Sequence, residues 1–172
     1  MMNFNYTKSF IISIIFILGC ETIQNHSTND PNIIIIYTDD LGYGDVSAYQ
    51  KGTLKTPNID KLANEGIRFN FGYASSATCS PSRYALLTGK YPWRKDGLRV
   101  ITGGSLVIDT TEMTIPKLLK RKNYHTGIVG KWHLGLGSGD GVAGSGIIDY
   151  NSTISPGPNE VGFDYSHLMA DT

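Results

Sequence analysis

The densest apolar stretch of the chain is Phe10 to Leu18 (FIISIIFIL), which follows Lys8 and runs into Gly19 and Cys20. A run of that length is too short to cross a bilayer and has the length of a signal-peptide core. Its alternative is a short buried helix or strand at the N-terminus. Residues 21–30 (ETIQNHSTND) hold few apolar side chains and read as a tether, so folding is expected to begin at Pro31. Asn32 to Thr38 (NIIIIYT) is almost wholly apolar and β-branched, the pattern of a strand buried on both faces of a parallel sheet. It ends in Asp39, Asp40 and the turn-like LGYGD.

Helical spacing follows in TPNIDKLANEG, with Thr56 as N-cap, Pro57 at the first helical position, Ile59, Leu62 and Ala63 on one face and Gly66 as a stop. Ile67 to Tyr73 (IRFNFGY) alternates as a strand does. A second helix opens at Ser80 and Pro81, is expected to bury Leu86 and Leu87, and closes at Gly89. Cys79 then lies at its N-terminus, where free backbone N–H groups favour negative charge, with Arg83 one turn along on the same side. Thr114 to Lys122 repeats the design with Ile115, Leu118 and Leu119 inward and Asn123 as a left-handed cap. YHTGIVGKWHL reads as a further strand, whose alternation puts Lys131 and His133 on one face and Trp132 on the other. Gly135 to Gly146 holds six glycines in twelve residues and reads as a loop.

Charge narrows the classes of partner. The 172 residues carry 15 basic and 15 acidic side chains, with no basic block, so nothing points to nucleic acid. Cysteine count matters more. ILGC resembles the bacterial lipoprotein cleavage box, in which the cysteine receives lipid and becomes the first residue of the mature protein. Residues 1–20 are then a lipoprotein signal peptide, Cys20 a membrane anchor, and the protein is expected in the bacterial cell envelope, periplasmic or anchored at the outer membrane. That leaves Cys79 without a disulfide partner in an exported protein and points to modification or catalysis.

Three element ends thus deliver a carboxylate pair, a cysteine with an arginine, and a lysine with a histidine. Taken singly, each has a bland reading. Asp39 and Asp40 suit an ordinary turn, Cys79 a small buried hydrophobe, Arg83 a solvated helix charge, and Lys131 with His133 a surface pair beside a core tryptophan.

Together they carry a resemblance. ATCSPSRYALLTG (Ala77 to Gly89) resembles the signature of the sulfatase family, NYHTGIVGKWHL resembles its second signature, and PNIIIIYTDDLGYGD its first metal-binding strand. GPNEVGFDY, Gly157 to Tyr165, is similar to the segment that follows. The resemblance runs from Pro31 onward in the family's order, with Asn123 where glycine is usual. It implies an α/β fold, an alkaline-phosphatase-like sandwich with a central mixed, mostly parallel sheet flanked by helices. Residues 31–172 would be the N-terminal part of that catalytic domain, because the family's later metal-binding Asp/Asn pair and later sulfate-contacting residues have no counterpart.

The resemblance also implies the chemistry of a sulfuric ester hydrolase. A maturation enzyme converts Cys79 to formylglycine (3-oxoalanine), whose hydrate attacks the sulfur of a sulfate ester on a carbohydrate or an aryl group. Asp39, Asp40 and position 79 would hold Ca²⁺, or alternatively Mg²⁺, as hard oxygen donors do. Arg83 would hold the formylglycine oxygens, Lys131 would neutralise sulfate oxygens, and His133 would accept the proton that releases sulfate. The alternatives are a phosphonate or phosphate ester hydrolase of the same superfamily, or a catalytically incomplete fragment acting as a binding module.

Overall fold

The computed structural model describes residues 30–50, 52, 54–137 and 148–170. The expected signal segment, Cys20 and the tether up to residue 29 lie outside the described residues, as does most of the glycine-rich loop. The chain forms two units, Met1–Thr38 and Asp39–Thr172. In the first, residues 30–38 carry no regular element and are exposed, Ile34 at 84% and Ile36 at 77%. The expected doubly buried strand is therefore not formed there. β-branching favours an extended backbone locally, but a ladder also needs a neighbour to pair with.

The second unit has three α-helices and a two-stranded sheet among its described residues. Helix α1 is Pro57–Glu65, α2 Cys79–Thr88 and α3 Ile115–Lys120; strands β1 (Gly127–Lys131) and β2 (Tyr165–Met169) pair in parallel, with Gly127 opposite Tyr165 and Lys131 opposite Met169. The expected strand at 67–73 is absent, and Phe69, Phe71 and Tyr73 are exposed. No described helix is long and apolar enough to cross a membrane.

Each helix starts where its sequence places it, but the buried faces differ from expectation. Pro57 opens α1, whose Ile59 and Leu62 are exposed because no other described helix or strand packs on them. The Thr56 hydroxyl does not cap the helix. It accepts from the Ser47 N–H at 3.0 Å and donates to Asp60 at 2.9 Å, and the Ser47 hydroxyl donates to the same carboxylate at 2.6 Å. In α2 the buried side is Ser80, Pro81, Ser82, Tyr84 and Ala85, while Leu86 and Leu87 are half-buried. Gly89 ends the helix at φ 68° and closes it with an N–H···O bond to Ala85. In α3 the Thr114 hydroxyl accepts from the Lys117 N–H and donates to the Val161 carbonyl, Pro116 is buried, and Leu118 is 54% exposed against expectation. Helical spacing identifies an apolar stripe; which part of it is covered depends on neighbours far away in sequence.

The core gathers Tyr84 from α2, Ile101, Val107 and Ile108 from the following segment, Trp132 and Leu134 after β1, and Val161 with Phe163 before β2. Its seam is a main-chain pairing of residues 104–107 with 134–137: Val107 N–H to Leu134 O at 2.9 Å, Leu136 N–H to Gly104 O at 2.8 Å and Leu106 N–H to Gly137 O at 3.1 Å. The Trp132 indole donates to the Gly135 carbonyl at 2.7 Å, so the largest buried side chain has its one polar atom satisfied. This seam holds the chain immediately after β1, at the end that carries Lys131.

Candidate functional site

Four side chains from three parts of the second unit meet at one place. The Lys131 ammonium, at the end of β1, donates to one Asp39 oxygen at 2.6 Å and lies 3.6 Å from the Cys79 sulfur. The other Asp39 oxygen accepts from the Cys79 thiol at 3.7 Å and faces an Arg83 nitrogen at 3.7 Å. Arg83 also donates to the Lys131 carbonyl at 2.7 Å, tying α2 to the end of β1. Arg83 and Lys131 side chains are each 12% exposed and Asp39 is 41% exposed, so the cations are held by packing while the carboxylate faces outward.

Charge is distributed unevenly here. The bonded Lys131 ammonium holds the Asp39 carboxyl below the ordinary carboxylate range against a smaller opposing effect of burial, and Arg83 adds to the lowering. The same bond to Asp39 raises Lys131. Two fixed cations thus surround one carboxylate, which leaves a positive excess beside Cys79 for an anion to meet.

The residues around Cys79 explain why that stretch reads CSPSR. Cys79 is the first residue of α2, with Thr78 extended before it at φ −123°. Ser80 is fully buried, and its hydroxyl accepts the Ile101 N–H at 2.9 Å, anchoring the segment after the helix. Pro81 and Ser82 are buried, and Arg83 returns to the site one turn later. Ser80 was missed as a positioning residue because its partner is 21 positions away, and only its place beside Cys79 could have marked it.

Asp40 and His133 are placed differently. Asp40 is exposed with a left-handed backbone, φ 53°, so the chain turns between the two aspartates and their side chains need not diverge as they would along a strand. Among the described residues no group of three or more His, Cys, Asp or Glu is close enough to enclose a metal ion. His133 also has a left-handed backbone, φ 53°, and lies beyond the end of β1, so strict alternation from Lys131 does not extend to it. It is 4% exposed, and neither ring nitrogen has a hydrogen-bond partner among the described residues. The contacts that join Asp39, Cys79, Arg83 and Lys131 do not include it.

A helix-terminal cysteine set between two cations and a carboxylate, on the ends of α/β elements, is a site arranged for an anionic group. The sequence profile of the sulfatase family matches residues 31–168, and the chain belongs to that family. It is 42% identical over 177 aligned residues to N-acetylgalactosamine-6-O-sulfatase of Bacteroides thetaiotaomicron, covering 100% of this chain and 34% of that protein. Among solved structures it is similar to one described under the metabolism of multiple glycosaminoglycans by Bacteroides thetaiotaomicron, with TM-score 0.76 and 48% identity over 83% of this chain and 28% of the other. It is also similar to Ps i-CgsB in complex with k-i-k-neocarrahexaose, with TM-score 0.60 and 38% identity over 77% of this chain and 27% of that one. The fold is the alkaline-phosphatase-like α/β fold of these sulfatases, here in part. The chain spans 34% of the length of that sulfatase and 21% of the length of the Homo sapiens steryl-sulfatase, to which it is 42% identical over 120 residues.

Proposed function

We propose that the chain serves a sulfuric ester hydrolase whose substrates are sulfated saccharides, with Cys79 as the precursor of its nucleophile. The observation that carries this is the convergence of Cys79, Arg83, Lys131 and Asp39 within 3.7 Å contacts, supported by relatives whose names state sulfatase and glycosaminoglycan chemistry. Those names favour sulfate over phosphonate or phosphate esters.

Cys79 is partly exposed at the start of α2, which favours its conversion to formylglycine by a maturation enzyme. That group would supply a hydrated aldehyde, one hydroxyl of which would displace the ester's alcohol from sulfur while the second, on losing its proton, would expel sulfate by carbon–oxygen cleavage and restore the aldehyde. Lys131, charged and bonded to Asp39, offers its ammonium to the sulfate oxygens beside the attacking atom. Arg83 fixes the geometry, because its planar donors bridge the Lys131 carbonyl and the Asp39 carboxylate. His133 holds buried ring nitrogens without partners among the described residues, which suits a proton acceptor that engages when substrate is present.

Asp39 and Asp40 fit a divalent cation in kind, since both are hard oxygen donors at a turn. They do not fit it in number, since Ca²⁺ takes about six to eight oxygens and Mg²⁺ about six. In this reading they and position 79 would contribute ligands to the ion, Ca²⁺ or Mg²⁺, which would supply polarisation of the sulfate. The leader pattern of Lys8, Phe10 to Leu18 and Cys20 supports export and lipid anchoring in the bacterial envelope.

The deciding experiment is mass spectrometry of the Cys79 peptide from full-length protein expressed with a formylglycine-generating enzyme, together with sulfate release. The expected peptide carries 3-oxoalanine, and Cys79→Ala abolishes release. An unmodified thiol in fully active protein refutes the mechanism.

A further inference from the structure

Helix α1 packs against no other described helix or strand, yet it is fastened to the loop that leaves the two aspartates of the site. The fastening is a polar knot of three side chains. The Ser47 hydroxyl donates to one Asp60 oxygen at 2.6 Å and the Thr56 hydroxyl to the other at 2.9 Å. With both protons turned on the carboxylate, each hydroxyl oxygen is left to accept, Ser47 from the Thr56 N–H at 2.9 Å and Thr56 from the Ser47 N–H at 3.0 Å. Asp60 therefore sets the direction of every bond in the knot. The Ser47 hydroxyl above all, with Thr56 and the Ala48 main chain, holds the Asp60 carboxyl below the ordinary carboxylate range against a smaller opposing effect of burial.

The knot reaches the site through a short path of closed contacts. Arg68, just beyond α1, donates to the Ala48 carbonyl at 2.6 Å, and its guanidinium lies 5.9 Å from the Tyr49 ring centroid. Tyr49 in turn packs on Tyr43, with ring centroids 4.7 Å apart. Val46 between them is buried. Residues 42–45 close on themselves, the Gly42 N–H bonded to the Asp45 carboxylate at 2.9 Å and the Asp45 N–H to the Gly42 carbonyl at 3.0 Å. Asp40 stands two residues before that closure. Asp39 is held through its side chain by Lys131 and Arg83, whereas exposed Asp40, at φ 53°, takes its place from the backbone that this loop fixes.

We infer that Asp60 is a positioning residue for the Asp39–Asp40 turn. It acts by holding residues 47 and 48 against α1, so that the loop between them and the turn keeps Asp40 in place next to Asp39. Its effect on catalysis rests on the hydrolase reading above; its effect on the loop does not. A purely electrostatic role, that of a negative charge in the first turn of α1, makes a different demand on substitutions. Asparagine removes the charge but keeps an acceptor, and because the Ser47 and Thr56 hydroxyls lie 2.9 Å apart, one can donate to the other and the knot can form again. Alanine removes the acceptor altogether.

The test follows amide hydrogen exchange of full-length protein by mass spectrometry, beside sulfate release from N-acetylgalactosamine 6-sulfate and from an aryl sulfate. Asp60→Ala should speed exchange over residues 39–48 about tenfold and leave α2 and β1 as in the parent. Its kcat should fall about tenfold with KM little changed, since Lys131 and Arg83 are carried by other elements. Ser47→Ala should repeat both effects, and Asp60→Asn should restore most of the parent's behaviour. Unchanged exchange over residues 39–48, an equal rise throughout the chain, or damage by Asp60→Asn equal to that of Asp60→Ala overturns the inference. Faster exchange over residues 39–48 with kcat unaltered also overturns it and leaves the hydrolase reading intact. Faster exchange that Asp60→Asn restores, in a parent protein that releases sulfate from neither substrate, keeps the tie between Asp60 and the turn and removes the hydrolase reading.

Discussion

Replacing Gly135 by alanine tests whether the seam behind the site is as close as it looks. Gly135 has φ 75°, and a Cβ there would stand 2.0 Å from the Ser105 carbonyl oxygen, 2.5 Å from the Ser105 carbonyl carbon and 2.7 Å from the Gly104 oxygen. All three are main-chain atoms, so no side chain can swing aside; the two paired segments must separate. Separation strains the Leu136 to Gly104 and Val107 to Leu134 bonds and the indole bond from Trp132 to the Gly135 carbonyl. A left-handed backbone without glycine costs about 1–2 kcal/mol, and forced overpacking adds about 1–3 kcal/mol. The expected loss is therefore about 2–5 kcal/mol for Gly135→Ala. Gly89→Ala is the control, because Gly89 has a similar φ of 68° but nothing within 4 Å of its added Cβ, so it should lose only the backbone part. Denaturant unfolding of the full-length variants, followed by tryptophan fluorescence, measures the difference. Equal destabilisation by the two substitutions would show that the approach of residues 104–105 to Gly135 is not held in solution.

Three further outcomes are expected. Arg83→Lys keeps the charge but cannot span the Lys131 carbonyl and Asp39 together, so kcat/KM for a sulfate ester should drop by about a hundredfold or more; kinetics like the wild type's would take Arg83 out of the site. Asp164 is held at a pKa of about 2, chiefly by the Lys120 ammonium at 2.7 Å and also by the Thr126 N–H. Its folded value is depressed below an unfolded value of about 3.9, so its contribution is present above about pH 4 and is lost as pH falls toward 2. Asp164→Asn should thus lower the thermal midpoint at neutral pH and flatten its fall on acidification; parallel curves for variant and wild type would contradict this. If Cys20 carries lipid as proposed, Cys20→Ser should move the protein from the membrane fraction to the soluble one, and an unchanged distribution would contradict anchoring through Cys20.

Local features were legible in the sequence where their causes are local. Pro57, Gly89 and Asn123 mark a helix start, a left-handed stop and a left-handed cap, because proline and positive φ restrict the backbone wherever they occur. The four-residue step from Cys79 to Arg83 on one helix is likewise a matter of pitch. Expectations failed where a distant partner decides. The runs at 32–38 and 67–73 have strand composition but form no strand among the described residues, and Ile59, Leu62 and Leu118 stay exposed although they lie on apolar stripes. Period two from Lys131 to His133 assumed a strand that continues, whereas the chain leaves β1 after Lys131 and turns left-handed at His133.

The sequence by itself determined the family, the residue types of the site and their order along the chain, because a reactive cysteine, a planar cation and paired carboxylates are chemical identities that need no fold to be read. Tertiary structure decided which of them touch. It set Lys131 on Asp39 across 92 positions, put Arg83 on the Lys131 carbonyl rather than only on its own helix surface, gave Ser80 its partner at Ile101 and left His133 outside the contacts. Those pairings depend on how buried Tyr84, Trp132 and Leu134 pack together, and packing between segments far apart in sequence has no local signature.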